Sequence, residues 1–120
     1  MFEVTSKMVD GVMIVDIAGE LSRRVSSFSP LKQLLADDRP SLILNLSALT
    51  YVDSSGLGQL IAIWTSIRNR GGKLLVLRPS PQVRKQFAIT KLDTVFTIVT
   101  DEAEAITLVQ KLVSGRLVDV

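Results

Sequence analysis

Between Leu42 and Ile67 the hydrophobic pattern changes period, and this change limits the fold more than any other feature. Leu42-Ile43-Leu44-Asn45-Leu46 is an apolar run of the kind found in a strand central in a sheet or covered on both faces. Further on, Leu57, Leu60, Ile61, Trp64 and Ile67 fall on one helical stripe, which predicts a helix from about Ser54 to Arg70. The stretch between them, Tyr51-Val52-Asp53-Ser54-Ser55-Gly56-Leu57-Gly58, is therefore the crossing from a buried strand into a helix, with Asp53 or Ser54 as its N-cap. Such a crossing belongs to an α/β fold, and it sets the loop at the carboxyl end of a strand, where open α/β sheets place their working residues.

The flanking segments extend the same architecture. Phe2 to Thr5 and Val12 to Ile17, separated by Asp10-Gly11, read as a hairpin with a tight turn. Gly19-Glu20-Leu21 is expected to break the second strand. Phe28, Leu31, Leu34 and Leu35 have helical spacing, with Pro30 in the first turn and Asp37-Asp38-Arg39-Pro40 as the stop. Gly71-Gly72 ends the helix after the crossing, with Arg68 and Arg70 at its negative end. Lys73 to Leu77 is a short strand. Ser80-Pro81 starts another helix, with Val83 and Phe87 facing inward. A short edge strand near Phe96 to Val99 follows. Asp101 caps a last helix, with Ile106, Val109, Leu112 and Val113 inward and Gly115 as its end, leaving residues 116–120 loose. The expected fold is one α/β domain over residues 1–120. Its mixed four- to five-stranded sheet, joined by right-handed crossovers, has about four helices packed against it.

Composition removes several function classes. The 120 residues hold one core, and an apolar share of 47% argues against disorder. Without Cys there is no disulfide, thiolate nucleophile or cysteine metal site; without His there is no imidazole base, ligand or phosphorelay acceptor. No apolar run is long enough to span a bilayer, and the N-terminus carries no signal-peptide pattern, so a cytoplasmic chain without membrane insertion is expected. The net charge of +2 is too small to imply nucleic acid, and Arg68, Arg70, Lys73, Arg84 and Lys85 read most simply as scattered helix-end cations. Asp37-Asp38 reads as a solvated turn rather than a metal pair, and no cofactor or metal is expected.

Ser54 and Ser55 are the first candidates for a functional role. Asp and Ser are common caps, but one cap needs one residue, and here three polar residues stand together. Gly56 and Gly58 add a cost of about 1 kcal/mol each in a helix interior relative to Ala. Close packing on the sheet would offset it, and so would close approach by a partner or ligand. A helix N-terminus favours negative charge, so a phosphate on either serine would be tolerated there. An enzyme is not expected: Ser54-Ser55-Gly56-Leu57-Gly58 is not G-x-S-x-G, and it lacks the lysine and third glycine of phosphate-binding loops.

These residues, together with Leu44-Asn45-Leu46, Gly19-Glu20-Leu21, Gly71-Gly72-Lys73 and Ser80-Pro81-x-Val83 with Phe87, resemble the signature of STAS domains. Within them the chain is most similar to the bacterial anti-sigma factor antagonists, over nearly its whole length. The resemblance implies a phosphorylation-switched binding module. Its phosphoacceptor would be Ser54, with Ser55 as runner-up. Asp53, Ser54, Ser55, Gly56, Leu57, Ser22 and Arg23 would form the partner-binding surface. Unphosphorylated, the module would hold an anti-sigma factor, often a serine kinase of the histidine-kinase-like ATPase fold, and so release a sigma factor. A serine phosphatase would reset it, and ATP would belong to the kinase. A homodimer is left open.

Two positions depart from the family pattern. Ser22, followed by Arg23 and Arg24, stands where the family usually has Asp near the acceptor serine. Lys91 stands where Gly is common, so that a turn there needs another geometry or a left-handed Lys91. The alternatives within the family are a non-phosphorylated STAS subunit of a lipid-transport ABC system and a stressosome-like scaffold.

Overall fold

The computed structural model describes residues 2–22 and 41–118, with side chains as far as Leu112. The expected helix around Phe28 to Leu35, Asp37-Asp38 and Arg23 lie outside these residues. In chain order the described elements begin with strands β1 (Phe2–Val9), β2 (Val12–Leu21), β3 (Leu42–Asn45) and β4 (Leu49–Val52). Helix α1 (Ser54–Asn69), strand β5 (Leu74–Leu77) and helix α2 (Pro81–Ile89) follow. A 3-10 turn (Leu92–Thr94), strand β6 (Thr97–Val99) and helix α3 (Glu102–Val118) complete them.

One mixed sheet runs in the order β1-β2-β3-β5-β6, with β4 as a sixth strand beside β2. Among the described strands only β1 and β2 are antiparallel; the other pairs are parallel. Both faces are covered. Val15, Ile17, Leu21, Leu44 and Val76 meet Leu57, Leu60, Ile63 and Ile67 of α1 and Val83 and Phe87 of α2 in one apolar cluster. Ile14, Ile43, Leu75 and Leu77 meet Ala105, Ile106 and Val109 of α3 in the other. Two-sided burial is why the central strands carry apolar residues without alternation.

The sheet has one more strand than expected because β4 is assembled by tertiary pairing. Chain leaving β3 turns at Leu46–Ala48, where the Leu49 N–H donates to the Leu46 carbonyl, and then rejoins β2 further along. This works because β2 does not break at Gly19-Glu20-Leu21. It continues to Leu21 through a register shift between Gly19 and Glu20, with Gly19 at φ +94°. A glycine bulge thus lets one strand serve β3 with its first half and β4 with its second. The hairpin, the β3 strand, the β5 strand and the edge strand stand where expected.

Two helix ends match their residues closely. Gly71, at φ +78°, and Gly72 donate to the carbonyls of Arg68 and Ile67, the paired bonds of a Schellman stop. Ser80 caps α2 by accepting the Val83 N–H at 3.4 Å, and its hydroxyl donates to the Leu49 carbonyl at 2.7 Å. That second bond ties α2 to β4. Ser80→Ala removes a cap and strands a partly buried acceptor, so a loss of about 2 kcal/mol is expected in urea denaturation.

Other details differ from the sequence pattern. Ile63, 2% exposed, takes the inner position on α1, and Ile61 is 38% exposed. The run from Leu60 to Trp64 is apolar all round, so its periodicity could not choose between them. Trp64 is only partly buried, with the Arg68 guanidinium 5.0 Å from its ring centre. Asp101 caps α3 by accepting the Glu104 N–H, but α3 runs on through Gly115 to Val118. Glycine lowers helix propensity by only about 1 kcal/mol, which does not force an end. Lys91 adopts the left-handed conformation, φ 65° and ψ 14°. Lys91→Gly is therefore expected to stabilise the protein by about 1 kcal/mol, read as a higher urea midpoint with unchanged slope. Among the described residues no helix is long and apolar enough to cross a membrane.

Candidate functional site

The loop at the end of β4 is built from backbone contacts upward. Leu21, the last residue of β2, pairs with Val52, the last of β4. The Asp53 N–H then donates to the Leu21 carbonyl at 3.3 Å. Asp53 is extended, at φ −102° and ψ −174°, and its Oδ1 accepts the Gly56 N–H at 2.9 Å. Its carbonyl accepts the Leu57 N–H at 2.8 Å, the first full turn of α1. Asp53 is thus the N-cap, and the two serines are relieved of that duty.

Ser54, first in the helix, is exposed; Ser55 is half-buried. Their N–H groups belong to the first turn, where a helix has no internal partner for its donors, and they lie at the positive end of the α1 dipole. No acidic residue lies in the first turn of α1 itself. Ser54 therefore offers a solvent-facing hydroxyl on a fixed backbone, in a field that favours an anion.

Gly56 and Gly58 have different reasons for being glycine. A Cβ on Gly56 would lie 2.1 Å from the Leu21 carbonyl oxygen and 2.7 Å from Val52 Cγ2. The helix end sits flush on the end of β2, and only glycine permits it. Among the described residues, a Cβ on Gly58 meets nothing within 4 Å. Gly58 is exposed, one turn beyond Ser54, and nothing in the packing of the described residues requires it.

The site residues named from the sequence divide accordingly. Asp53, Ser54, Ser55, Gly56 and Leu57 stand together at the start of α1, and Ser22 follows Leu21, the β2 residue on which that helix end sits. Leu57 is 5% exposed and Ser22 7% exposed, and Gly56 is buried. These three are covered, whereas Ser54, with the half-buried Asp53 and Ser55, is the accessible part of the loop. The outer face of α1, Gly58, Ile61, Ala62 and Thr65, carries the exposed surface away from Ser54. In the sequence this face is marked by the surplus apolar residue Ile61 and by Gly58.

The comparisons with known proteins agree with one another. The STAS domain family model matches residues 3–105. The anti-sigma F factor antagonist of Paenibacillus polymyxa is 30% identical over 100 residues, covering 81% of this chain and 86% of that protein. The crystal structure of an anti-sigma factor antagonist from Mycobacterium paratuberculosis superposes with a TM-score of 0.77 at 27% identity, covering 92% of this chain and 95% of that one. The anti-sigma factor antagonist SpoIIAA in its unphosphorylated form gives a TM-score of 0.68 at 26% identity, covering 91% and 97%. The phosphorylated form of SpoIIAA, from Bacillus, gives 0.60 at 25% identity, covering 91% and 99%.

Proposed function

This chain belongs to the STAS domain family, and on that footing we propose that it is an anti-sigma factor antagonist switched by phosphorylation of Ser54. Unphosphorylated, it binds an anti-sigma factor through the top of the α1 loop and so releases a sigma factor. The partner is a serine kinase of the histidine-kinase-like ATPase fold, which binds ATP and transfers its terminal phosphoryl group to the Ser54 oxygen, the hydroxyl losing its proton and ADP leaving. A serine phosphatase restores the binding form. The protein acts as a cytoplasmic binding module rather than an enzyme, over one domain of residues 1–120.

One observation carries this reading: Ser54 is exposed at the first position of a helix whose cap is Asp53. It has a fixed position and no structural duty, which suits a residue that must be modified without disturbing the fold. Ser55, half-buried, is the second choice. Asp53, Ser55 and the Gly58–Ile61–Ala62 face complete the docking surface, while Gly56, Leu57 and Ser22 hold it in shape. Gly58 fits this role because its missing side chain lets a partner backbone come close, which offsets the helix cost of about 1 kcal/mol. A homodimer is compatible with the role.

The test is affinity capture from the native host with the wild-type chain and with Ser54→Asp. The expected result is an anti-sigma factor retained by the wild type and lost from the variant. Equal retention by both would separate the partner surface from Ser54 and overturn the assignment.

A further inference from the structure

We propose that the outer edge of β1 binds the β1 of a second copy of this chain, antiparallel, about a two-fold axis at Thr5. The proposal is independent of the role given to Ser54, because β1 is the end strand of the sheet and Ser54 follows β4.

The hairpin turn determines which backbone groups face outward. Asp10 and Gly11 have φ of 51° and 81°, the pair of positive angles of a type I′ turn. Such a turn closes on a hydrogen-bonded pair, here Val9 and Val12, which are register partners. Bonded and non-bonded pairs alternate along an antiparallel ladder. Lys7, Thr5 and Glu3 therefore turn their N–H and C=O groups toward β2, and Ser6, Val4 and Phe2 turn theirs away. The opposite side of β2 agrees: the N–H of Gly19, partner of Phe2, donates to the Ala48 carbonyl beyond β2. The register of β1 with β2 is continuous from Phe2 to Val9, and the strand contains neither Pro nor Gly. Among the described residues, no strand pairs with its outer edge.

An edge of this length is a template for another strand, and charge is the usual guard against it. Here the charges select a register. Centred on Thr5, an antiparallel mate sets Val4 opposite Ser6 as a hydrogen-bonded pair, twice. It sets Glu3 opposite Lys7, also twice, and Thr5 opposite Thr5 at the close-spaced positions where cross-strand side chains interact most. Both opposite-charge pairs form only in this register; a shift of the axis to Val4 or Ser6 loses them. Lys7 already lies 3.3 Å from Glu102 at the start of α3, so in the dimer it would sit between two carboxylates. Met8, 46% exposed, would lie across from Phe2 of the second copy. A single strand-to-strand contact is smaller than a standard stable interface, so the expected dimer is weak and concentration-dependent.

Sedimentation velocity with the intact chain, from micromolar concentrations to about 1 mM, tests the proposal across the range such an interface covers. The expected result is a shift from monomer to dimer. Ser6→Pro should remove the dimer and leave the hairpin folded, because its lost N–H faces away from β2. Lys7→Glu should weaken dimerisation by roughly tenfold through two like-charge contacts, and Glu3→Lys in the same chain should restore it. Circular dichroism on each variant confirms that the fold is kept. A wild type that stays monomeric throughout, a dimer indifferent to Ser6→Pro, or a Lys7→Glu defect that the second charge reversal does not restore would each overturn the proposal.

Discussion

Gly56→Ala is expected to cost the protein about 3 kcal/mol or more, enough to lower its melting temperature by about 12 °C or to prevent folding. The added methyl would stand 2.1 Å from the Leu21 carbonyl oxygen and 2.9 Å from the Leu21 carbonyl carbon. Backbone cannot give way as a flexible side chain does. Leu21 is held by strand pairing with Val52 and by the Asp53 N–H, and Val52, the other obstacle, is 1% exposed in the core. Relief requires lifting the start of α1 off the sheet, which would also displace Ser54 and Ser55. Gly58→Ala is the control, with opposite sign. Its methyl meets none of the described residues, so a gain of about 0.5–1 kcal/mol is expected from helix propensity alone. Urea denaturation of both variants checks the pair. A Gly56→Ala protein within about 1 kcal/mol of wild type would show that the helix end is not seated on β2 as described.

The second large effect is on affinity. Phosphate on Ser54 adds about −1.5 to −2 charges. In the free protein it meets the N-terminus of α1, where the effect on stability is about 0.3–1 kcal/mol and favourable. In a complex closed over Ser54, the same group must give up its water, and an unmatched buried charge costs about 3–5 kcal/mol. At 1.4 kcal/mol per decade, the expected loss of affinity is at least about a hundredfold. Titration calorimetry of the captured anti-sigma factor against both forms measures it, with thermal melts of the free forms alongside. An affinity changed by less than about threefold would remove Ser54 from the interface. A large drop in melting temperature on phosphorylation would mean that the switch acts by unfolding rather than by charge. Gly58→Ala separates the two properties from the other side, since it should raise stability while weakening the partner's approach.

What could be read from residues was local chemistry. Asp10-Gly11, Gly71-Gly72, Ser80-Pro81 and Asp101 act through contacts within a few positions, and each stands where its chemistry placed it. The two-sided burial of β3 was equally legible, because an apolar run without alternation has few other uses. What could not be read depends on distant partners. β4 exists because β2 carries a bulge at Gly19 and offers it a ladder. The choice of Ile63 over Ile61 depends on how α1 is seated, since both are apolar. Gly56 was visible as a cost, but its reason is a carbonyl on another strand. Gly58 was visible in the same way, and there the described residues supply no reason. The candidate site followed the same rule: the Asp-Ser-Ser loop was apparent from the residues, whereas the division into an exposed Ser54 and a buried Leu57 came from packing.

The most direct test of the switch is peptide mass spectrometry of the protein purified from its own host, growing and under stress, with Ser54→Ala prepared beside it. The expected result is a phosphate on Ser54 under at least one condition and none on the variant. A chain never phosphorylated under any condition, or one whose phosphate lies on Ser55 and persists in Ser54→Ala, would contradict it.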